Sequence, residues 1–322
     1  MQKFTISDSE SGQTLEKYVR KVLKDAPLSF IYKLFRKKDI KVNGHWQKEK
    51  YVISSGDEIS VYITDSQLEE FKKKTNVLST DKVSDYIVYE DQNVLILNKP
   101  RGLLVQKDDS NEVALDEMVV SYLVNKKEYN PIRDLGYTPA PAHRLDRNTA
   151  GLIIFGKNIE TLRYLSSAIQ DKSLVEKRYL TLVKGTVEKD GEINSPLSKN
   201  TKNGMVYVSK EGKPALTRYK VLKHVGEYTL LEVSLLTGRT HQIRVHLASI
   251  SHPVIGDKKY GDYSLNKEIE EKYNFKNQFL VAYSLKFGQL ERPLDKLSNK
   301  SFKINLPEEM NDLILKLGKK ED

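Results

Sequence analysis

Residues 143 to 152 read His143-Arg144-Leu145-Asp146-Arg147-Asn148-Thr149-Ala150-Gly151-Leu152, and Ile153-Ile154-Phe155-Gly156-Lys157 follows at once. A single carboxylate sits between two arginines, next to a turn-like Asn-Thr-Ala-Gly, and leads into an apolar run of strand type. A carboxylate beside guanidinium groups is favoured in its charged form. Such a group serves as a nucleophile or an electrostatic partner and is poorly suited to be a general acid at neutral pH. An Asp that caps a turn or makes a structural ion pair has the same local sequence, so the rest of the chain has to decide.

The 322 residues suffice for two domains. Lys plus Arg outnumber Asp plus Glu by 53 to 44. That surplus favours a polyanionic partner, through phosphate neutralisation and counterion release. There is no cysteine, which excludes disulfides, thiolate catalysis and Cys-rich zinc sites and suits a reducing cytoplasm. No stretch has the apolar length of a signal peptide or a membrane span. A cytoplasmic protein without a membrane partner is expected.

Residues 14 to 37 have the spacing of two short amphipathic helices, with Leu15, Val19, Val22 and Leu23 on one face and Leu28, Ile31, Leu34 and Phe35 on another. Pro27 lies between them. An alternating strand ending in Asn43-Gly44 follows, then a second strand over 56–62. Lys33, Arg36, Lys37, Lys38 and Lys41 gather at the junction. Residues 65–83 are polar and lysine-rich and read as a linker. From Ser84 the pattern turns to strands: 87–91 and 94–99 as a hairpin, then a helix over 115–124 and a loop over 133–141. A helix over 159–169 comes next, followed by strands over 175–185, 217–221 and 228–234. His241 and His246 lack the spacing and the third ligand of a metal site.

The central stretch closely resembles the sequence around the catalytic aspartate of RluA-type pseudouridine synthases, usually H-R-L-D-x-x-T-S-G-L, with Ala150 where the family has Ser. Further blocks resemble the family in order. They are Lys99-Pro100-Arg101-Gly102-Leu103, Lys177-Arg178-Tyr179, the string Leu236-Thr237-Gly238-Arg239-Thr240-His241-Gln242-Ile243-Arg244-Val245-His246, His252 to Gly261, and Ala282 to Phe287. Val281 sits where many members have His. The first 64 residues resemble an S4 RNA-binding domain of αL type, and the whole looks most similar to the RluC and RluD kind.

The resemblance implies an α+β fold: a mixed, mostly antiparallel sheet with flanking helices over 84–306, an S4 domain over 1–64 and a C-terminal tail over 307–322. It implies an isomerase that turns specific uridines of large-subunit ribosomal RNA into pseudouridine, with no cofactor or metal, as a monomer without an obligate protein partner. The same chemistry on transfer RNA, or an inactive RNA-binding assembly factor, are the alternatives. Asp146 would be the essential carboxylate, acting on a flipped-out uridine as a nucleophile on C1′ or along a glycal route. Arg244 would hold it by a two-pronged contact. Tyr179 would stack on the uracil and serve, less readily, as a base. Arg144 would enter the RNA or contact phosphate, Leu145 and Ile243 would wall the pocket, and Lys99 is either a phosphate contact or a surface lysine. The lysines and arginine of the S4 region would grip phosphates.

Overall fold

The structure, a computed structural model, describes residues 1–71, 81–108, 110–131, 134 and 137–319. The N-terminal body comprises β1 (Gln2–Thr5), α1 (Leu15–Val22), α2 (Leu28–Arg36), β2 (Ile40–Val42), β3 (His45–Trp46), β4 (Glu58–Val61) and α3 (Asp65–Phe71). Thr14 caps α1 by accepting from the Lys17 amide, and Pro27 occupies the N-cap of α2. Asn43 and Gly44 have φ of 50° and 82°, the double left-handed turn that joins two strands of a tight hairpin. The apolar faces foreseen for both helices close on Ile40, Ile59 and Val61, except for Leu28, which is exposed at the first turn of α2.

Two features differ from the sequence expectation. β1 completes a sheet of order β1-β4-β2-β3; its four residues alternate too briefly to announce a strand. Residues 65–71, assigned to the linker, form a helix. Leu68 is buried in the N-terminal core and the Phe71 ring lies 4.8 Å from Phe30. At the other end of that segment, Val83 is buried in the following body. The intervening 72–80 lie outside the described residues.

The larger body continues through α4 (Asp81–Ser84), β5 (Ile87–Glu90), β6 (Val94–Lys99), α5 (Leu115–Asn125), β7 (Ala140–Pro141), β8 (Ala150–Gly156), α6 (Ile159–Ala168) and β9 (Val175–Lys184). It goes on with β10 (Gly191–Asn194), β11 (Leu197–Lys199), β12 (Val206–Val208), β13 (Leu216–Val225), β14 (Tyr228–Leu235), α7 (Gln242–Ser249) and α8 (Tyr263–Tyr273). The last elements are β15 (Leu280–Phe287), β16 (Ser301–Lys303) and α9 (Glu308–Gly318). Of the loop expected over 133–141, residues 133, 135 and 136 lie outside the described residues.

The large sheet runs β10-β13-β14-β9-β15-β8-β6-β5, with β16 added to β15 and β7 to β8. Its pairs are antiparallel except β15 with β8, so the mixed, mostly antiparallel sheet holds. β8 is the apolar run after the central motif, and every residue of it is buried. Ile153 and Phe155 pack on one side with Leu95, Leu97 and Tyr179, whereas Leu152 and Ile154 pack on the other with Ile96 and Leu165. Each such side chain contributes about 1.5–3 kcal/mol by burial, and that anchors the start of the strand, where the motif lies. Gly151 has φ +117°, and a Cβ there would stand 2.3 Å from the Ala282 carbonyl oxygen. Only glycine permits β8 and β15 to approach so closely. α9, assigned to the tail, buries Met310, Leu313, Ile314 and Leu317 against Val225 and Leu230 and so belongs to this body; residues 320–322 lie outside the described ones.

Candidate active site

Asp146 sits in the turn just before β8, and its carbonyl accepts the Thr149 amide at 3.0 Å. Lys99, at the end of β6, braces that turn from behind. Its ammonium donates to the carbonyls of Pro100 at 3.0 Å, Leu103 at 2.8 Å and Arg147 at 2.9 Å. Three donors meet three acceptors, and the side chain is 0% exposed. Burial pushes its pKa down to about 7, against the pull of the Asp146 charge. Lys99 is therefore neither a phosphate contact nor a surface lysine. It ties the Pro-Arg-Gly-Leu loop to the backbone beside Asp146, a role that composition and spacing do not distinguish from an exposed one.

The two arginines adjacent in sequence do not hold the carboxylate. Arg147 turns away, donating to the Gly102 carbonyl at 3.1 Å and pairing with Glu112. Arg144 is exposed and has no ion pair among the described residues. The guanidinium that reaches Asp146 comes from Arg244 on α7, whose Nη1 lies 2.8 Å from Oδ2. The expected two-pronged contact exists, but with another partner: Nε donates to Asp257 Oδ2 at 2.7 Å and Nη2 to Oδ1 at 2.8 Å. Two edges of one planar fork thus serve two carboxylates.

The Asp257 side chain is 0% exposed and also accepts the amides of Lys259 at 2.9 Å and Tyr260 at 3.1 Å. Burial pushes its carboxyl up, but the Arg244 guanidinium and the two amides hold it below the usual value. Asp257 lies in the block from His252 to Gly261, where its charge after the apolar run Val254-Ile255 is the one sequence signal of this role.

His241, in the left-handed region with φ 53°, brings Nε2 to 4.0 Å from Asp146 Oδ1, and its Nδ1 lies 2.8 Å from the Tyr260 hydroxyl. That hydroxyl accepts the Val206 amide at 3.0 Å. Burial lowers the His241 pKa, Asp146 opposing. His246 instead bonds Thr217 and the Ser195 carbonyl, at 2.8 and 2.9 Å.

Asp146 opens into a cleft of two lobes that share Arg144, Leu145, Asp146 and Tyr179. The inner lobe, about 60 Å³, adds Ile243, Arg244 and Leu280; the outer, about 470 Å³, adds Gln106, His143, Gln170 and Lys177. Leu145 and Ile243 are buried and line the inner lobe. Tyr179 presents its ring beside the carboxylate. Burial, and then the charge of Asp146, push its phenol above the ordinary tyrosine value, which favours a stacking surface over a base.

Ala150 and Val281, the two departures from the family pattern, are register partners in the single parallel pair and share one apolar cluster.

On the N-terminal body, Lys33, Arg36 and Lys37 are exposed at the end of α2. Lys38 lies over the Trp46 ring at 5.3 Å and Lys41 over Tyr62 at 5.1 Å. None of the five has an ion pair among the described residues. No described helix is long and apolar enough to cross a membrane.

A family model described as RNA pseudouridylate synthase matches residues 93–249. A ribosomal large subunit pseudouridine synthase C from Salmonella typhi is 33% identical over 305 residues, covering 90% of this chain and 92% of that one. The protein of the same name from Vibrio vulnificus is 31% identical over 295 residues, 90% of each. The one from Escherichia coli K12 is 33% identical over 304 residues, 90% and 92% of the two chains. Among solved structures, human RNA pseudouridylate synthase domain containing 4 superposes with a TM-score of 0.60 at 20% identity, over 76% of this chain and 97% of that one; this likeness speaks to the fold.

Proposed function

Because this chain belongs to the RNA pseudouridylate synthase family, we propose that it isomerises uridines of large-subunit ribosomal RNA to pseudouridine, with Asp146 as the essential carboxylate. The substrate follows the printed names of its relatives, which share about a third of its residues over nine-tenths of its length. The observation that carries the residue assignment is the Arg244–Asp146 contact at 2.8 Å in a cleft walled by Tyr179.

The reaction breaks the bond from C1′ to N1 of uracil, turns the base and joins C1′ to C5; the C5 proton is released and N1 takes up a proton in its place. A stacked uridine is out of reach, so it is extruded at a cost of a few kcal/mol. Tyr179 stacks on the extruded base between the walls of Leu145 and Ile243. Arg244, itself gripped by Asp257, fixes the Asp146 rotamer, so that the carboxylate meets C1′ without reorganising. A nucleophilic and a glycal route both demand that placement. Arg144, exposed and unpaired at the mouth, contacts the RNA near the vacated position. Residues 1–71 act as an S4-type module, gripping phosphate through Lys33, Arg36, Lys37, Lys38 and Lys41 and fixing register without reading sequence.

Tritium release from [5-³H]uridine-labelled large-subunit rRNA transcripts tests this reading. Wild type is expected to release tritium, with Asp146→Asn slower by at least about 10⁴-fold while still binding the transcript. No release by wild type, or full release by Asp146→Asn, would contradict it.

A further inference from the structure

The outer lobe of the cleft has a feature that the isomerisation itself does not use. Lys177 lies on β9 two residues before Tyr179, and the two side chains line this lobe together. Its ammonium has neither hydrogen bond nor ion pair among the described residues. The acidic neighbour on its own strand, Glu176, is taken by Arg178 at 2.9 Å. Burial, and then the charge of Lys172, lower the pKa of Lys177 to about 8. A half-buried cation without a counter-charge costs stability, and that cost is offset when an anion enters.

We infer that the outer lobe is a binding site for the phosphodiester and ribose of the nucleotide next to the target uridine, with Lys177 as the cation that receives the phosphate. The inference rests on the RNA reading above. Three observations converge on it. The lobe shares Asp146 and Tyr179 with the inner lobe, so its occupant lies beside the nucleotide being isomerised. Its volume of about 470 Å³ admits a nucleotide. Its lining is cationic, with Arg144, Lys177 and Arg239 against the lone Asp146 carboxylate, and the side-chain amides of Gln106 and Gln170 stand at its rim without partners among the described residues. Those amides have donors and acceptors for the sugar hydroxyls.

The test compares wild type, Lys177→Met, Lys177→Gln and Lys177→Arg in the full chain. Filter binding to a large-subunit rRNA transcript is followed from about 50 to 200 mM salt, and thermal melting is recorded for each protein. One lost phosphate contact is expected to weaken binding about tenfold and to flatten the slope of log Kd against log salt by about 0.7–0.9. Lys177→Arg is expected to keep the slope, and Lys177→Met to melt no lower than wild type, since it removes an unpaired cation. An unchanged salt slope in Lys177→Met or Lys177→Gln, or a lowered melting temperature with that slope unchanged, would make Lys177 a structural lysine and overturn the assignment. Tritium release by wild type reads the parent function separately, so a protein that binds without releasing tritium fails that reading while the slopes still decide the subsite.

Discussion

Arg244 grips Asp257 with two parallel hydrogen bonds and donates one more to Asp146, with Nη1 2.8 Å from Oδ2. The buried Asp257 carboxylate holds the arginine, and the arginine fixes the Asp146 carboxylate.

Removing it is expected to act twice. Asp257→Ala leaves a buried guanidinium half-paired and is expected to destabilise by about 3–5 kcal/mol, read by denaturant unfolding. Asp257→Asn retains shape and is expected to slow tritium release about 100-fold through a misaimed Arg244. The folded-state pKa of Asp257 lies below its unfolded value, so its stabilisation is present above about pH 4 and lost as pH falls through the folded value. The melting difference between wild type and Asp257→Asn is expected to shrink from pH 6 to pH 3; a constant difference would contradict the pairing.

Lys99 and Lys177 are expected to respond oppositely. Lys99→Met strips donors from three carbonyls and is expected to cost about 3 kcal/mol, with slower turnover as the Asp146 turn loosens. The salt slope of RNA affinity is expected to stay as in wild type. A flattened slope in Lys99→Met would mean that this lysine meets phosphate after all.

Tyr179→Phe keeps the ring and is expected to hold RNA affinity within about twofold. Tyr179→Ala is expected to weaken it about 10–100-fold, the range of one lost base–aromatic stack. Equal affinities for the two variants, measured by filter binding, would remove the stacking role.

Ala150→Ser places a hydroxyl beside Val281 in an apolar cluster. A loss of about 1–3 kcal/mol is expected. A neutral result would show that the two departures from the family pattern are independent.

Where burial periodicity was strong, the sequence was informative. The faces of α1 and α2, the β5–β6 hairpin, and β8, β9 and β14 lie where alternation and apolar runs put them. Short or polar elements were not legible: β1 alternates for four residues only, and α3 hides Leu68 among charges. At the site, Asp146, Tyr179 and Arg244 were named because motifs carry them, and the chain brings together side chains 98 residues apart. Arg244 pairs with Asp146 as its motif implies, whereas the guanidinium groups nearest in sequence do not: Arg147 turns to Gly102 and Glu112, and Arg144 lines the cleft without an ion pair among the described residues. The fork of Arg244 was assigned to Asp146 because the stronger claim of Asp257 arises only once α7 packs on the loop after it. A buried lysine such as Lys99 reads like any other lysine until its three acceptors are in place.

The central claim, that Asp146 converts uridines of large-subunit ribosomal RNA, is tested most directly in cells. Total RNA from a strain lacking this gene, complemented with wild type or Asp146→Asn, is mapped for pseudouridine by carbodiimide modification and primer extension. Discrete large-subunit rRNA positions are expected to lose the modification in the deletion strain and to regain it with wild type alone. A deletion strain in which no large-subunit rRNA position loses its modification, or lost positions that return equally with Asp146→Asn, would contradict the account.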